Sequence, residues 1–128
     1  MICNRQDSPE DHPVIVLAGN HDIGYGATMK PFHVKRFEAA FGPLNSVYEI
    51  EGHRVVKVNS MNLDTSGDKE MSAQTWGFVK EMARLQKEEP LPLILLTHIP
   101  LHKPAGNCVD APFTDLNRSG PFEFLLLV

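Results

Sequence analysis

Two short apolar runs constrain this chain more than any other feature. Val14-Ile15-Val16-Leu17-Ala18 and Leu93-Ile94-Leu95-Leu96 are continuous rather than alternating. A strand that is apolar at every position has both of its faces covered, so each run predicts a strand buried between layers. Each run also breaks off into polar residues, Gly19-Asn20-His21-Asp22 after the first and Thr97-His98-Ile99-Pro100 after the second. In layered α/β folds, ligands bind beyond the carboxyl ends of the strands. Asn20, His21 and His98 therefore share one expected address.

The segments between the runs fit the same architecture. Val34, Phe37 and Phe41 lie on one helical face, and Pro31 and Gly42 flank a predicted helix over 31–41. Residues 46–60, SVYEIEGHRVVKVNS, read as two strands around Glu51-Gly52, with β-branched residues dominating the second arm. A second helix is predicted over 72–89, with Ser72 as N-cap, Phe78, Val79, Met82 and Leu85 as its apolar stripe, and Pro90 and Pro92 as its stop. Strand, helix, hairpin, helix, strand is the order of a layered α/β fold.

Composition removes several function classes. The 128 residues carry a net charge of −4 with no basic stripe, which argues against a nucleic-acid partner. No apolar stretch reaches the ~20 residues that span a bilayer, and the polar start MICNRQDSPEDHP has no signal-peptide core. Cys3 and Cys108 form no Cys-x-x-Cys pair. DIGYG lacks the Gly-Lys-Ser/Thr element of a P-loop, and no Gly-x-Ser-x-Gly elbow is present. Asn117-Arg118-Ser119 matches a glycosylation sequon, which matters only in a lumen.

Asn20 suits a turn, and it equally offers a carbonyl oxygen to a hard or borderline cation. His98 after an apolar strand is either a hydrogen-bonded residue near the core or a ligand. Together they make an N,O pair suited to Mn, Fe or Zn. His21 can donate a proton near neutral pH. Asp22 either orients His21 or caps the following turn. His98 and His102 have helical His-x-x-x-His spacing, but Pro100 between them argues against a shared helix face. His102 either contacts substrate or faces solvent, solvent being favoured. His12, His33 and His53 are read as surface residues.

Four blocks in order, LAGNHDIGYG (17–26), VKRFEAAFG (34–42), VVKVNSMNLD (55–64) and ILLTHIPLHKPAGNC (94–108), resemble the calcineurin-like metallophosphoesterases. They are closest to the branch that removes ethanolamine phosphate from a mannose of glycosylphosphatidylinositol (GPI) anchors. The resemblance covers about residues 14–108 and implies a β-sandwich flanked by helices with two divalent metal ions, Mn by preference and Fe or Zn as alternatives. It implies that Asn20 and His98 ligate the second metal, that His21 sits by the phosphate as transition-state stabiliser or proton donor, and that Asp22 and His102 support the site. It further implies a hydrolase acting on a phosphodiester of a GPI glycolipid or GPI-anchored protein. The parent would be a membrane protein of the endoplasmic reticulum or Golgi with a lumenal catalytic domain, anchored by segments outside this sequence.

The family pattern also has Asp-x-His and Gly-Asp before Gly-Asn-His-Asp, and Gly-His-x-His after Thr-His. Here Glu10-Asp11-His12 replaces the first, Gly67-Asp68 follows the motif instead of preceding it, and the chain ends in PFEFLLLV. The expectation is therefore an internal fragment with an incomplete fold: a loose lead-in over 1–13, a partial phosphoesterase domain over 14–118 and an atypical apolar tail over 119–128. Alone it is expected to bind metal weakly and to be inactive. A truncated, non-enzymatic isoform that binds a protein partner through the tail is the alternative, and a soluble α/β module whose Gly-Asn-His-Asp is only a turn is a third.

Overall fold

The computed structural model describes residues 14–63 and 68–99. Their helices are α1 (Asn20–Ile23), α2 (Pro31–Phe41) and α3 (Lys69–Glu88), and their strands are β1 (Ser46–Ile50), β2 (His53–Lys57) and β3 (Leu93–Leu96). Two 3-10 turns, Gly26–Thr28 and Ser60–Asn62, punctuate the connections. The strands form one sheet in the order β1-β2-β3. β1 and β2 pair antiparallel with Tyr48 opposite Val55, while β2 and β3 pair parallel with Val56 opposite Leu95. The described chain is thus mixed α/β, compatible with part of a metallophosphoesterase fold.

Alternation along a strand sorts the central β2 between two faces. Val56 and Val58 pack with Leu93 and Leu95 against Val79, Met82 and Ala83 of α3. Arg54 lies on that face and is fully buried. Its Nη1 donates to Gln86 Oε1 at 2.7 Å and to the Glu89 carbonyl at 2.8 Å, which pins the end of α3 to the sheet. Val55 and Lys57 point the other way. Lys57 is also buried, and its Nζ donates to the Val16 carbonyl at 3.0 Å.

Helix α2 and the hairpin form where the pattern placed them. The hairpin turn has positive φ at both Glu51 (48°) and Gly52 (76°), the geometry of a type I′ turn. Three expectations are corrected. Residues 14–18 have no strand pairing. Val14 is exposed, and the run is tied to the sheet by the Lys57 ammonium rather than by a ladder. The third helix starts three residues before Ser72: Asp68 is its N-cap, its Oδ1 accepting from the amides of Glu70 and Met71 at 2.9 Å each. Finally, the second arm of the hairpin ends at Lys57, and Ser60 begins a 3-10 turn capped by the Asn59 side chain. The lead-in over 1–13, the end of the expected domain and the tail over 119–128 lie outside the described residues.

Among the described residues, no helix is long and apolar enough to cross a membrane.

Candidate metal centre

Gly19 begins the site. It is the N-cap of α1, and its amide donates to Asp22 Oδ2 at 2.8 Å. Through this bond the Asp22 carboxylate closes back on the start of its own turn, the one that follows the Val14–Ala18 run. The one-turn helix closes on Gly24, whose φ is +87°. A Cβ on Gly24 would stand 2.6 Å from the Thr28 carbonyl oxygen, so only glycine fits. Arg36 of α2 donates from Nη2 to the Asp22 carbonyl at 3.2 Å and ties α1 to its neighbour. Asn20 and His21, at the start of this braced turn, are both exposed.

His98 reaches the same place from β3. The last parallel ladder contact runs from the Val58 amide to the Leu96 carbonyl at 3.0 Å. Beyond it, Thr97 Oγ1 donates to the Ile99 carbonyl at 3.1 Å, and the Ile99 amide donates to Ser60 Oγ at 2.9 Å. Between these fixed points His98 turns back over Gly19, where a Cβ would lie 3.2 Å from His98 Cε1. A side chain at Gly19 would make the imidazole give by a few tenths of an ångström. His98 Nε2 ends 3.1 Å from Asn20 Oδ1.

That separation suits a hydrogen bond from Nε2–H to the amide oxygen. It also suits two donors of one coordination sphere: ligands ~2.0–2.2 Å from a shared ion and at right angles to each other stand about 3 Å apart. A hard amide oxygen beside a borderline imidazole nitrogen suits Mn, Fe or Zn. The pair fits a metal ion but does not complete its sphere. Among the described residues, no group of three or more His, Cys, Asp or Glu side chains is placed to hold one.

Asn20 and His98 are thus brought together, with His21 adjacent in sequence to Asn20, whereas His102 lies outside the described residues. His33 is half-buried on α2 with its ring edge-to-face with that of the exposed Phe32, and His53 is exposed at the hairpin. Gly24 and Gly26 serve the fold around α1: one is its C-cap, and the other is buried in the next turn. The approach permitted by Gly19 and the brace from Arg36 were missed in the sequence, because both depend on neighbours distant along the chain.

A separate polar cleft of about 510 Å³ opens between α2 and α3, and its lining includes Lys35, Asn45, Asn59, Asn62 and Thr75. Much of that lining is committed to structure. Asn45 bridges the Asn59 amide at 2.8 Å and Thr75 Oγ1 at 3.0 Å, and Asn62 Nδ2 donates to the Met71 carbonyl at 2.9 Å.

No family model matches the chain, and no solved structure matches it significantly. Named relatives do. An uncharacterised protein of Schizosaccharomyces pombe is 34% identical over 78% of this chain and 29% of its own length. Cell division control protein 1 of Saccharomyces cerevisiae is 34% identical over 73% of this chain and 18% of its own length. Metallophosphoesterase 1 of Rattus norvegicus is 32% identical over 84% of this chain and 32% of its own length. The chain spans about a third or less of the length of these relatives. Together with the metallophosphoesterases of other animals, they support a metallophosphoesterase family for this chain.

Proposed function

We propose that this chain forms one corner of the active site of a metal-dependent phosphodiesterase, and that its substrate is the ethanolamine phosphate carried by the glycan of a GPI anchor. The observation that carries the metal site is the meeting of Asn20 Oδ1 and His98 Nε2 at 3.1 Å, each delivered from a different part of the chain. The substrate class rests on the resemblance of the ordered blocks between residues 17 and 108.

In this reading Asn20 and His98 hold one of two divalent ions, manganese by preference. Bound metal supplies a water activated for attack and positive charge against the phosphoryl oxygens. The chain's own residues do the rest. Gly19 leaves the imidazole of His98 room to lie against the backbone. Asp22 and Arg36 hold the turn that presents Asn20 and His21. His21 faces the phosphate and passes the proton on an imidazole nitrogen to the leaving alcohol oxygen as the P–O bond breaks, recovering a proton from water afterwards. Water adds to phosphorus, so the products are one alcohol and one phosphate monoester.

Two donors are too few for a tight site. Taken with the described residues alone, the pair is therefore proposed to bind metal weakly and to turn over no substrate at a useful rate. The parent protein is placed in membranes of the endoplasmic reticulum or Golgi, with this region lumenal. The test is a Mn-dependent assay on protein captured from its source by an antibody against this sequence, with a GPI glycan bearing ethanolamine phosphate as substrate. Release of ethanolamine phosphate that His21→Ala reduces by about 10²-fold or more supports the reading; release of none overturns it.

A further inference from the structure

We infer that Ser60 is a positioning residue for His98, an inference that rests on the metal-binding reading of the Asn20–His98 pair. Ser60 opens the 3-10 turn Ser60–Asn62 and is 1% exposed. Its Oγ accepts from the amide of Ile99, the residue after His98, at 2.9 Å across 39 residues of sequence. Ile99 is itself buried, at 7% exposure. An amide there has no water to turn to, so losing its acceptor leaves a costly unpaired donor.

The placement of this bond gives it consequence for the site. The parallel ladder between β2 and β3 makes its last backbone contact where the Val58 amide meets the Leu96 carbonyl. The Ser60 hydroxyl then continues the ladder by one more rung, using a side chain where backbone pairing has stopped. The segment is thus fixed at Leu96 on one side of His98 and at Ile99 on the other, while Thr97 Oγ1 closes the turn onto the Ile99 carbonyl at 3.1 Å. His98 is the residue these fixings leave projecting, and its ring meets Asn20. Ser60 Oγ bonds the backbone next to His98, so it acts through the chain that carries the imidazole.

The experiment compares the full chain as wild type, Ser60→Ala and Ser60→Thr. The threonine keeps a hydroxyl on the same carbon. Imidazole ¹⁵N shifts of His98 are read without metal, and affinity is read by titration with Mn²⁺ alone. The expected result is that Ser60→Ala moves the His98 ring nitrogens and weakens Mn²⁺ binding by about tenfold or more, while Ser60→Thr restores both. A folded Ser60→Ala protein with wild-type ring shifts and wild-type affinity overturns the inference. If Ser60→Ala does not fold, amide exchange in the wild type decides: an Ile99 amide exchanging at the open-chain rate overturns it, and a protected one retained in Ser60→Thr supports it. If the wild type takes up no Mn²⁺, the metal reading fails on its own, and the ring shifts still decide the role of Ser60.

Discussion

Asn20 and His98 are 78 residues apart in sequence, yet their side chains meet at 3.1 Å. Gly19, the residue before Asn20, lies against the imidazole of His98. A Cβ on Gly19 would press on His98 Cε1 at 3.2 Å and on Asp22 Oδ2 at 3.3 Å. Gly19→Ala should therefore cost about 1 kcal/mol of stability while displacing the imidazole. The expected signature is a changed His98 ring spectrum in a protein that still melts cooperatively. An unchanged ring spectrum would mean that the glycine is there only for the turn.

Gly24 offers a sharper contrast. Its φ of +87° and a Cβ position 2.6 Å from the Thr28 oxygen combine backbone strain with a backbone clash. Gly24→Ala should lower unfolding free energy by about 2–4 kcal/mol, read as a shift in urea midpoint at constant slope. A loss below about 0.5 kcal/mol would show that the α1 turn is not held as described.

Arg54 and its neighbours separate buried from exposed charge. Arg54 is fully buried with two strong acceptors, Gln86 Oε1 and the Glu89 carbonyl, whereas its ion-pair partner Glu49 has a side chain 61% exposed. Arg54→Met should cost about 3–5 kcal/mol, because it strands buried acceptors. Glu49→Gln should cost under about 1 kcal/mol. Chemical denaturation of both variants checks the ordering, and equal losses would contradict it.

On the outer face of α3, Arg84 bonds Glu81 at 2.6 Å and also bonds Glu88. Its hydrogen bond holds the Glu81 carboxyl below the usual carboxylate range. The sign follows from linkage: a depressed carboxylate pKa gives stability that is present above the unfolded-state pKa and lost as pH falls through the folded-state value. With every partner exposed, solvent screens that contribution to little. Arg84→Ala should leave the melting temperature at pH 7 within about one degree of wild type. A fall of several degrees would show an ion-pair network that matters.

Much of this arrangement was legible in the residues. Pro31 and Gly42 bracket α2, Pro90 stops α3, Glu51-Gly52 turns the hairpin, and the all-apolar Leu93–Leu96 run becomes β3, although Ile94 is exposed and the strand is not covered on both faces as expected. Periodicity and turn chemistry are local, and local signals survive folding. The strand expected over residues 14–18 failed because a strand needs a partner as well as an apolar run, and here a buried lysine takes its Val16 carbonyl instead. Lys57 and Arg54 are charged yet buried, and their acceptors come from 41 and 32 residues away, beyond the reach of local pattern. The site divides in the same way. The meeting of Asn20 and His98 at the ends of the two apolar runs was readable. The role of Asp22 as a cap, the clearance at Gly19 and the bond from Ile99 to Ser60 are set by three-dimensional neighbours.

The most direct test of the metal centre is pulsed electron paramagnetic resonance on the chain titrated with Mn²⁺, comparing wild type with His98→Ala and Asn20→Ala. Bound Mn²⁺ should show a ¹⁴N imidazole coupling that vanishes in His98→Ala, and each substitution should weaken binding by about tenfold or more. Because the two residues act on one ion, the double variant should lose less than the sum of the single losses. A wild-type spectrum with no imidazole coupling, or one that His98→Ala leaves intact, would contradict the assignment.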